Sequence, residues 1–491
     1  MGQARHDVLL QLFLLLRLHL CRADCVYKEC SCSPYLIVCS YKNLQVIPPL
    51  NPAVTYPEWD LTLNSNNISS IPSGSLPANL TDIDLQDNPI TTMDDDVFDG
   101  SVYMLASLYM SYVRFPKIPN AIGHLRALTE LSITGGNITN WNDGVWINLG
   151  QTLETLILEN VGMTTWPTWI QYFTKLTDLT VTFASFSTIP DNGLDGVANT
   201  LKDLRLYNNR FTMVPKAISN LTSLQTLSIY QNHITNLHWL PHYSRLISLS
   251  INNNYLSNAS HVSQALRPFN ESLSFLDINY NLLTAIPEFS FLVNVRMLDF
   301  SHNKIYDSDS GSVSEDTHFL DVSYNSLSLC PRILSNLVLV TDFSIAHNNL
   351  KAFQESDFHD QVTSINAEYN SITELTNTSF PENFGLLYLQ LNDNPLTTIS
   401  SGLLQRLPHL YKLDLRHTKL TRLPLGLSYL SELDILEVRN CTALVCTCME
   451  STLRPFIMRP APFQVLGNCG QTSIAEFFSM LSPYCPTTGN I

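Results

Sequence analysis

The sequence predicts an α/β-type repeat solenoid, with short parallel strands side by side on one face and loops or short helices crossing behind them. Three observations predict it. Two neighbouring segments, Leu201-x-x-Leu204-x-Leu206-x-x-Asn209-x-Phe211 and Leu224-x-x-Leu227-x-Ile229-x-x-Asn232-x-Ile234, carry one frame. That frame recurs along most of the 491 residues. Cysteines gather just before the first repeat and just after the last. A fixed period of this size marks stacked supersecondary units, because one unit cannot bury its apolar face alone.

The chain begins MGQARHDVLLQLFLLLRLHLCRA, with a basic Arg5, an apolar run from Val8 to Leu16 and a small Ala23 before Asp24. This is the form of a secretory signal peptide over residues 1–23. A signal anchor is the alternative, but the run is too short to span a bilayer. The mature protein is therefore expected to be secreted and extracellular, with no membrane span.

The position held by Asn209 is held in turn by Asn66, Asn88, Val113, Gly136, Val161 and Ala184. After Asn232 come Asn254, Asn281, Asn303, Asn325, Asn348, Asn370, Asn394, Thr418 and Cys441. That makes about seventeen repeats across residues 56–443. Alternation along each LxL turns its leucines inward and their neighbours outward. The Asn amide, with two donors and an acceptor, suits a buried turn. Ile71-Pro72, Ile118-Pro119, Ile189-Pro190, Val214-Pro215 and Ile286-Pro287 mark the start of the crossing side, where a missing N–H costs nothing. Four successive repeats, Val113 to Ala184, lack the Asn, and Trp141, Trp146, Trp166 and Trp169 lie in or beside them. These rings read as core fill on the convex side, with an exposed aromatic patch as the alternative. Asp307–Asp316, DSDSGSVSED, reads as a mobile acidic loop, and His261–Phe269 as a short convex helix ending at Pro268.

The LxxLxLxxNxL frame resembles the leucine-rich repeat. With the bracketing cysteines, the chain resembles secreted animal leucine-rich-repeat proteins with cysteine-rich caps, over nearly all of residues 25–485. The resemblance implies a horseshoe solenoid, an N-terminal cap at 24–55 and a C-terminal cap at 444–491. It also implies the pairings Cys25–Cys32, Cys30–Cys39, Cys446–Cys469 and Cys448–Cys485. Such caps cover the end strands, and disulfides stabilise them in an oxidising compartment. Cys441 stands at the Asn position of the last repeat, and Cys330 reads as a free buried thiol. A metal at Cys30-x-Cys32 or Cys446-x-Cys448 is disfavoured by spacing and context.

Hydrophobic residues make up 45% and charged residues 14%, so a large core is available, and the formal charge of −16 repels phosphate backbones. Nucleic acid is thus a poor partner. No catalytic motif is present, and neither enzyme activity, cofactor nor metal is expected. The resemblance directs attention to the outward positions of the concave sheet. Phe275, Met297 and Phe319 fall there on three adjacent strands, an apolar contact patch. Phe183, Arg205, Tyr207 and Tyr230 form a second cluster on adjoining repeats, of residue types common in binding hot spots. Asp82, Asp84, Asp87, Glu130, Glu154, Glu159, Asp178 and Asp203 make the face acidic, which suits a protein partner with a basic patch. Tyr280, His302, Tyr324, His347 and Tyr369, each just before an Asn, read as repeat wording rather than a metal or pH ladder. Asp277, Asp299 and Asp321 belong to that wording too. Sequons at Asn67, Asn79, Asn137, Asn220, Asn258, Asn270 and Asn377 are glycosylation candidates outside the strand positions; Asn440 adjoins the C-terminal cap. The expected function is a secreted protein-binding scaffold. The alternatives are a receptor ectodomain truncated before its membrane segment, or the non-catalytic subunit of a secreted enzyme complex.

Overall fold

One short strand per repeat, laid parallel to the next, is the recurring unit of the computed structural model, which describes residues 25–460 and 463–485. The expected signal peptide lies outside them. The chain packs as two compact units, Met1–Asn232 with Trp239–Arg245, and His233–His238 with Leu246–Ile491.

In the first unit the parallel strands run from Leu36–Val38 through Trp59–Thr62, Leu80–Leu85, Ser107–Ser111, Glu130–Thr134, Thr155–Glu159, Asp178–Thr182 and Asp203–Arg205 to Thr226–Ser228. In the second they run from Ser248–Ser250 through Phe275–Asp277, Met297–Asp299, Phe319–Asp321, Asp342–Ser344, Ser364–Asn366, Tyr388–Gln390, Lys412–Asp414 and Ile435–Val438 to Gln464–Cys469. The frame leucines are the core: Leu201, Leu204, Leu206 and Phe211 are fully buried, as are Leu224, Leu227, Ile229 and Ile234. Each such side chain contributes about 1.5–3 kcal/mol relative to exposure.

The turn asparagines act as expected. Asn209 Nδ2 donates to the Val181 and Leu206 carbonyls at 3.0 Å, and its Oδ1 accepts from the Ala184 and Phe186 amides at 3.2 Å. Where the Asn is missing, backbone takes over. The Ile138 amide, which in an Asn repeat would meet the next Asn Oδ1, donates to the Val161 carbonyl at 3.0 Å. The Asn160 amide reaches the Thr182 carbonyl at 3.0 Å. The four strands of this stretch are 5 residues long, against 3 at Asp203–Arg205 and Thr226–Ser228, while Leu80–Leu85, which precedes the turn residue Asn88, reaches 6.

The tryptophans fill the side behind these longer strands. Trp146 and Trp169 are buried and stack at 4.2 Å, Trp166 Nε1 donates to the Gly193 carbonyl, and the half-buried Trp141 closes on both stacked rings. They are core fill, not an exposed patch. In the second unit, Ala259–Leu266 is a helix capped by Asn258, followed by a 3-10 turn at Arg267–Phe269. The α-helix ends at Leu266 beside Pro268 as expected, but Arg267 keeps helical angles and Pro268 sits in the first turn of the 3-10 segment, where its missing N–H costs nothing.

The acidic stretch 307–316 is a correction. It is a packed turn, not a free loop. Ser312–Val313 pairs in parallel with Glu288–Phe289, and Val313 is buried. Gly311 sits at φ +99, and any Cβ there would collide with the Ile286 carbonyl. Composition suggested a loop; the valine and the glycine tie it down.

Both caps are disulfide-bonded as the resemblance implies: Cys25–Cys32, Cys30–Cys39, Cys446–Cys469 and Cys448–Cys485. In the N-terminal cap, hairpin Ser31–Ser33 with Leu36–Val38 is antiparallel and covers the first edge. Cys330 and Cys441 are free and buried. Cys441 Sγ lies 3.1 Å from the Leu415 carbonyl, near the place where an Asn amide would donate.

Candidate functional site

Strand alternation decides what the sheet face presents, since each LxL commits two side chains to the core. In the second unit Phe275 is 52% exposed and Met297 65%, while Phe319 is half-buried between its neighbours. Met297 lies opposite Phe319, and Asp277 opposite Asp299. The three apolar side chains predicted from the frame are thus brought together, and they wall a cavity of about 430 Å³. Its remaining wall holds Asp277, Asn279 and Asp299, and the exposed Arg296 also lines it.

In the first unit the predicted aromatic cluster also assembles. Tyr207 and Tyr230 stack at 4.5 Å with rings 7° apart, and Phe183 meets Tyr207 edge-on at 6.3 Å. Phe183 is 45% exposed and stands in the turn after its strand at φ +53. Arg205 closes on Asp203 at 3.0 Å. Burial raises the Asp203 carboxyl above its ordinary range; Arg205 opposes this, and Asp178 adds to it.

Most of the acidic positions stand half-buried on strands; Asp87 and Glu154 fall just outside them, in the turn after Leu80–Leu85 and before Thr155–Glu159. Burial raises the Asp84 carboxyl, with Asp87 adding to it. Asp277 and Asp321 are raised chiefly by burial as well, with Asp299 adding in each case. Asp299 and Asp321 also accept the amides of Ser301 and Ser323, so the aspartates of the LDxSxN wording brace their own turns.

The column before each Asn forms a continuous ring stack. Tyr280, His302, Tyr324, His347 and Tyr369 follow one another at 3.9–4.2 Å. Burial lowers His302 from its ordinary value, against the pull of Asp299 and Asp321. Among the described residues no group of three or more His, Cys, Asp or Glu is placed to hold a metal ion.

The sequon residues Asn67, Asn137, Asn220, Asn258, Asn270 and Asn377 are exposed. Asn79 is half-buried directly before strand Leu80–Leu85, with its Nδ2 donating to the Tyr56 carbonyl. Among the described residues no helix is long and apolar enough to cross a membrane.

Two signals escaped the sequence reading. One is the polar floor beneath Phe275 and Met297, which looked like repeat wording. The other is the pairing of Asp414 with Arg416 and Glu437 with Arg439 on the same face. An acid near the end of a strand followed two residues later by an arginine just past it is the pattern that would have revealed it.

Comparison with known proteins agrees with this architecture. The family described as "Leucine rich repeat" matches residues 360–420. The human "Leucine-rich repeats and immunoglobulin-like domains protein 2" is 30% identical over 108 residues, which span 22% of this chain and 10% of that protein. Among solved structures, the TLR13–ssRNA13 complex aligns with a TM-score of 0.55 at 16% identity, covering 83% of this chain and 74% of that one. The plant peptide hormone receptor RGFR1 in complex with RGF2 aligns with a TM-score of 0.50 at 19% identity, covering 84% and 78%. At these identities the structural likeness establishes the fold alone. The chain has the fold of a leucine-rich-repeat solenoid, with a leucine-rich-repeat family match at residues 360–420 and disulfide-bonded cysteines at both ends.

Proposed function

We propose that this protein is a secreted, non-enzymatic scaffold that binds a protein partner across the exposed face of its sheet. One observation carries the reading. Each unit gathers apolar or aromatic side chains from consecutive repeats at positions the repeat does not require: Phe275, Met297 and Phe319 on strands in one, Phe183, Tyr207 and Tyr230 just after their strands in the other. Exposed clusters of this kind mark contact surfaces, with aromatic and arginine side chains as anchors. RGFR1, of similar fold, holds a peptide hormone, which supports a protein or peptide ligand. The TLR13 structure holds RNA, but a net charge of −16 opposes a phosphate backbone here. Glycans on the six exposed sequons would leave the sheet face open. The likeness to receptors also supports a second reading, the ectodomain of a cell-surface receptor. A longer transcript with an apolar segment after Ile491 would favour it.

The test is affinity capture from tissue extract with the secreted full chain, then measured binding to the purified partner. A Phe275→Ser/Met297→Ser/Phe319→Ser variant and a Tyr207→Ala/Tyr230→Ala variant are compared with the parent. At least one should lose the partner while keeping its Tm. Unchanged binding in both overturns the reading of the face. Affinity that ignores ionic strength overturns the basic-patch part of it.

A further inference from the structure

The cavity beside Phe275, Met297 and Phe319 has a floor that the repeat does not explain. Asp299 is satisfied: Asn279 Nδ2 donates to its Oδ2 at 2.7 Å and the Ser301 amide to its Oδ1 at 2.8 Å. The first contact fixes the Asn279 amide, so its oxygen points away from Asp299. Asn279 Oδ1 and Asp277 Oδ1 are buried and receive no hydrogen bond of ordinary geometry from the described residues, and the Asn279 backbone amide only partly offsets the burial of the Asp277 carboxyl. Asn252 Oδ1 is in the same condition. Since Ser250 lies opposite Asp277, Asn252 belongs beside Asn279 on the adjoining strand. Two of these acceptors, on Asp277 and on Asn279 just past its strand, therefore belong to residues that line the cavity beside the apolar wall, with Asn252 in the adjoining repeat. Native proteins seldom leave buried acceptors in this state.

Elsewhere the same face supplies what is missing here. Asp414, at the position equivalent to Asp277, is held by Arg416 two residues on: Nε lies 2.9 and 3.0 Å from its two oxygens and Nη2 2.7 Å from Oδ2. Glu437 is held in the same way by Arg439 at 2.8 and 2.9 Å. The residues two on from Asp277, Asp299 and Asp321 are Asn279, Ser301 and Ser323, so these strands carry no cation of their own at that position.

We propose that this cavity receives the guanidinium of an arginine side chain projecting from the protein partner, with its fork donating to Asp277 and Asn279. The arginine stem and plane then lie against Phe275, Met297 and Phe319. The inference rests on the scaffold reading above and deepens it by naming the group recognised. Arginine fits better than lysine because its planar fork meets several acceptors at once and stacks on aromatic faces. Two carboxylates against the single Arg296 leave the wall net negative, and Arg296 repels the incoming cation toward the Asp277 end.

The probe is the blocked peptide acetyl-Leu-Arg-Leu-amide, titrated against the full glycosylated chain by ligand-observed NMR. Its citrulline counterpart, equal in shape and uncharged, is the control. The arginine peptide should bind about tenfold or more tightly than the citrulline peptide, the scale of one charge-assisted hydrogen-bond pair. Asp277→Asn and Met297→Ser should each weaken the arginine peptide by about tenfold at unchanged Tm or higher. Glu315→Gln, an exposed acid outside the cavity, should leave it unaltered. No binding of the arginine peptide, equal binding of the two peptides, or equal binding to Asp277→Asn and parent overturns the proposal. If the peptides fail while the Phe275/Met297/Phe319 variant still loses the natural partner, the arginine inference falls and the scaffold reading stands.

Discussion

Replacing Asn232 with alanine isolates the energetic role of the turn asparagine. Asn232 is 3% exposed. Its Nδ2 donates to the carbonyls of Leu206, Ile229 and Tyr230, each at 3.1 Å, and its Oδ1 accepts from the Phe211 amide at 3.1 Å. Alanine removes all four contacts. The Leu206 carbonyl keeps Asn209 Nδ2 at 3.0 Å and the Tyr230 carbonyl keeps the Asn208 amide at 3.2 Å, so the buried Phe211 amide is the group that loses its acceptor. At about 1–3 kcal/mol for an unsatisfied buried group, the cost is about 2 kcal/mol. Stacked repeats need not unfold in one step, so the cost is read locally, by hydrogen exchange across residues 201–237. Loss of about 2 kcal/mol lowers protection there by about 30-fold. Val161→Ala is the matched control. Val161 holds the same place in the frame but serves the Ile138 amide through its own carbonyl, which alanine retains. Only buried methyls are lost there, about 1.6 kcal/mol at about 0.8 per group. If the Phe211 amide exchanges no faster in Asn232→Ala than in Val161→Ala, the side-chain amide is not what closes these turns.

Three further outcomes follow from the same geometry. Burial, with Asp299 beside it, raises the Asp277 carboxyl above its ordinary value of 3.8, so its protonated form favours the fold. That contribution is full below the unfolded value near 3.8 and is lost as pH rises through the folded value. Asp277→Asn should therefore raise Tm at pH 7, with the gain shrinking as pH falls toward 3.8; a gain that grows on acidification contradicts this. Reducing the C-terminal cap opens bridges of 23 and 37 residues' separation, each worth about 3–4 kcal/mol in loop-closure entropy. Exchange should accelerate over 446–485 while strands 275–321 hold, as mass spectrometry of the native protein would show. Trp146→Ala removes a fully buried ring stacked on Trp169 and should cost about 3–5 kcal/mol, seen as a lower Tm in calorimetry.

The frame was legible because each of its letters has one physical job. Leu204 and Leu206 are buried because alternation leaves them no other side, and Asn209 is buried because its amide serves four backbone groups. The same logic placed Phe275 and Met297 on the exposed face without any coordinates. The failures came where one letter serves two purposes. Asp277 and Asp414 occupy the same place in their repeats, yet one lacks a cationic partner and the other grips Arg416. The difference lies two residues on, in Asn279 against Arg416, outside the frame that drew attention to the aspartates. In the 307–316 stretch, acidic composition outweighed Val313, although an apolar residue after a glycine is what a packed turn requires.

The ring ladder shows how a conspicuous column can be structural. Tyr280, His302, Tyr324, His347 and Tyr369 all sit at φ between 49 and 53, a region that bulky residues seldom enter. Asn208, Asn253 and Asn440 hold the equivalent place elsewhere, and asparagine enters that region readily. A left-handed residue without such a side chain costs about 1–2 kcal/mol, and an aromatic contact returns about 0.5–1.5. Each inner ring has two such contacts, at 3.9–4.2 Å, so neighbouring rings are one condition that offsets the cost; Tyr112 and His417 hold the equivalent place at φ 55 and 58 without them. Five successive repeats meet that condition, and the stack accounts for its own residues without a ligand. Phe275 and Met297 have no such account. Their backbone is ordinary strand, their side chains are exposed, and the fold gains nothing evident from them; that is why the partner is sought there.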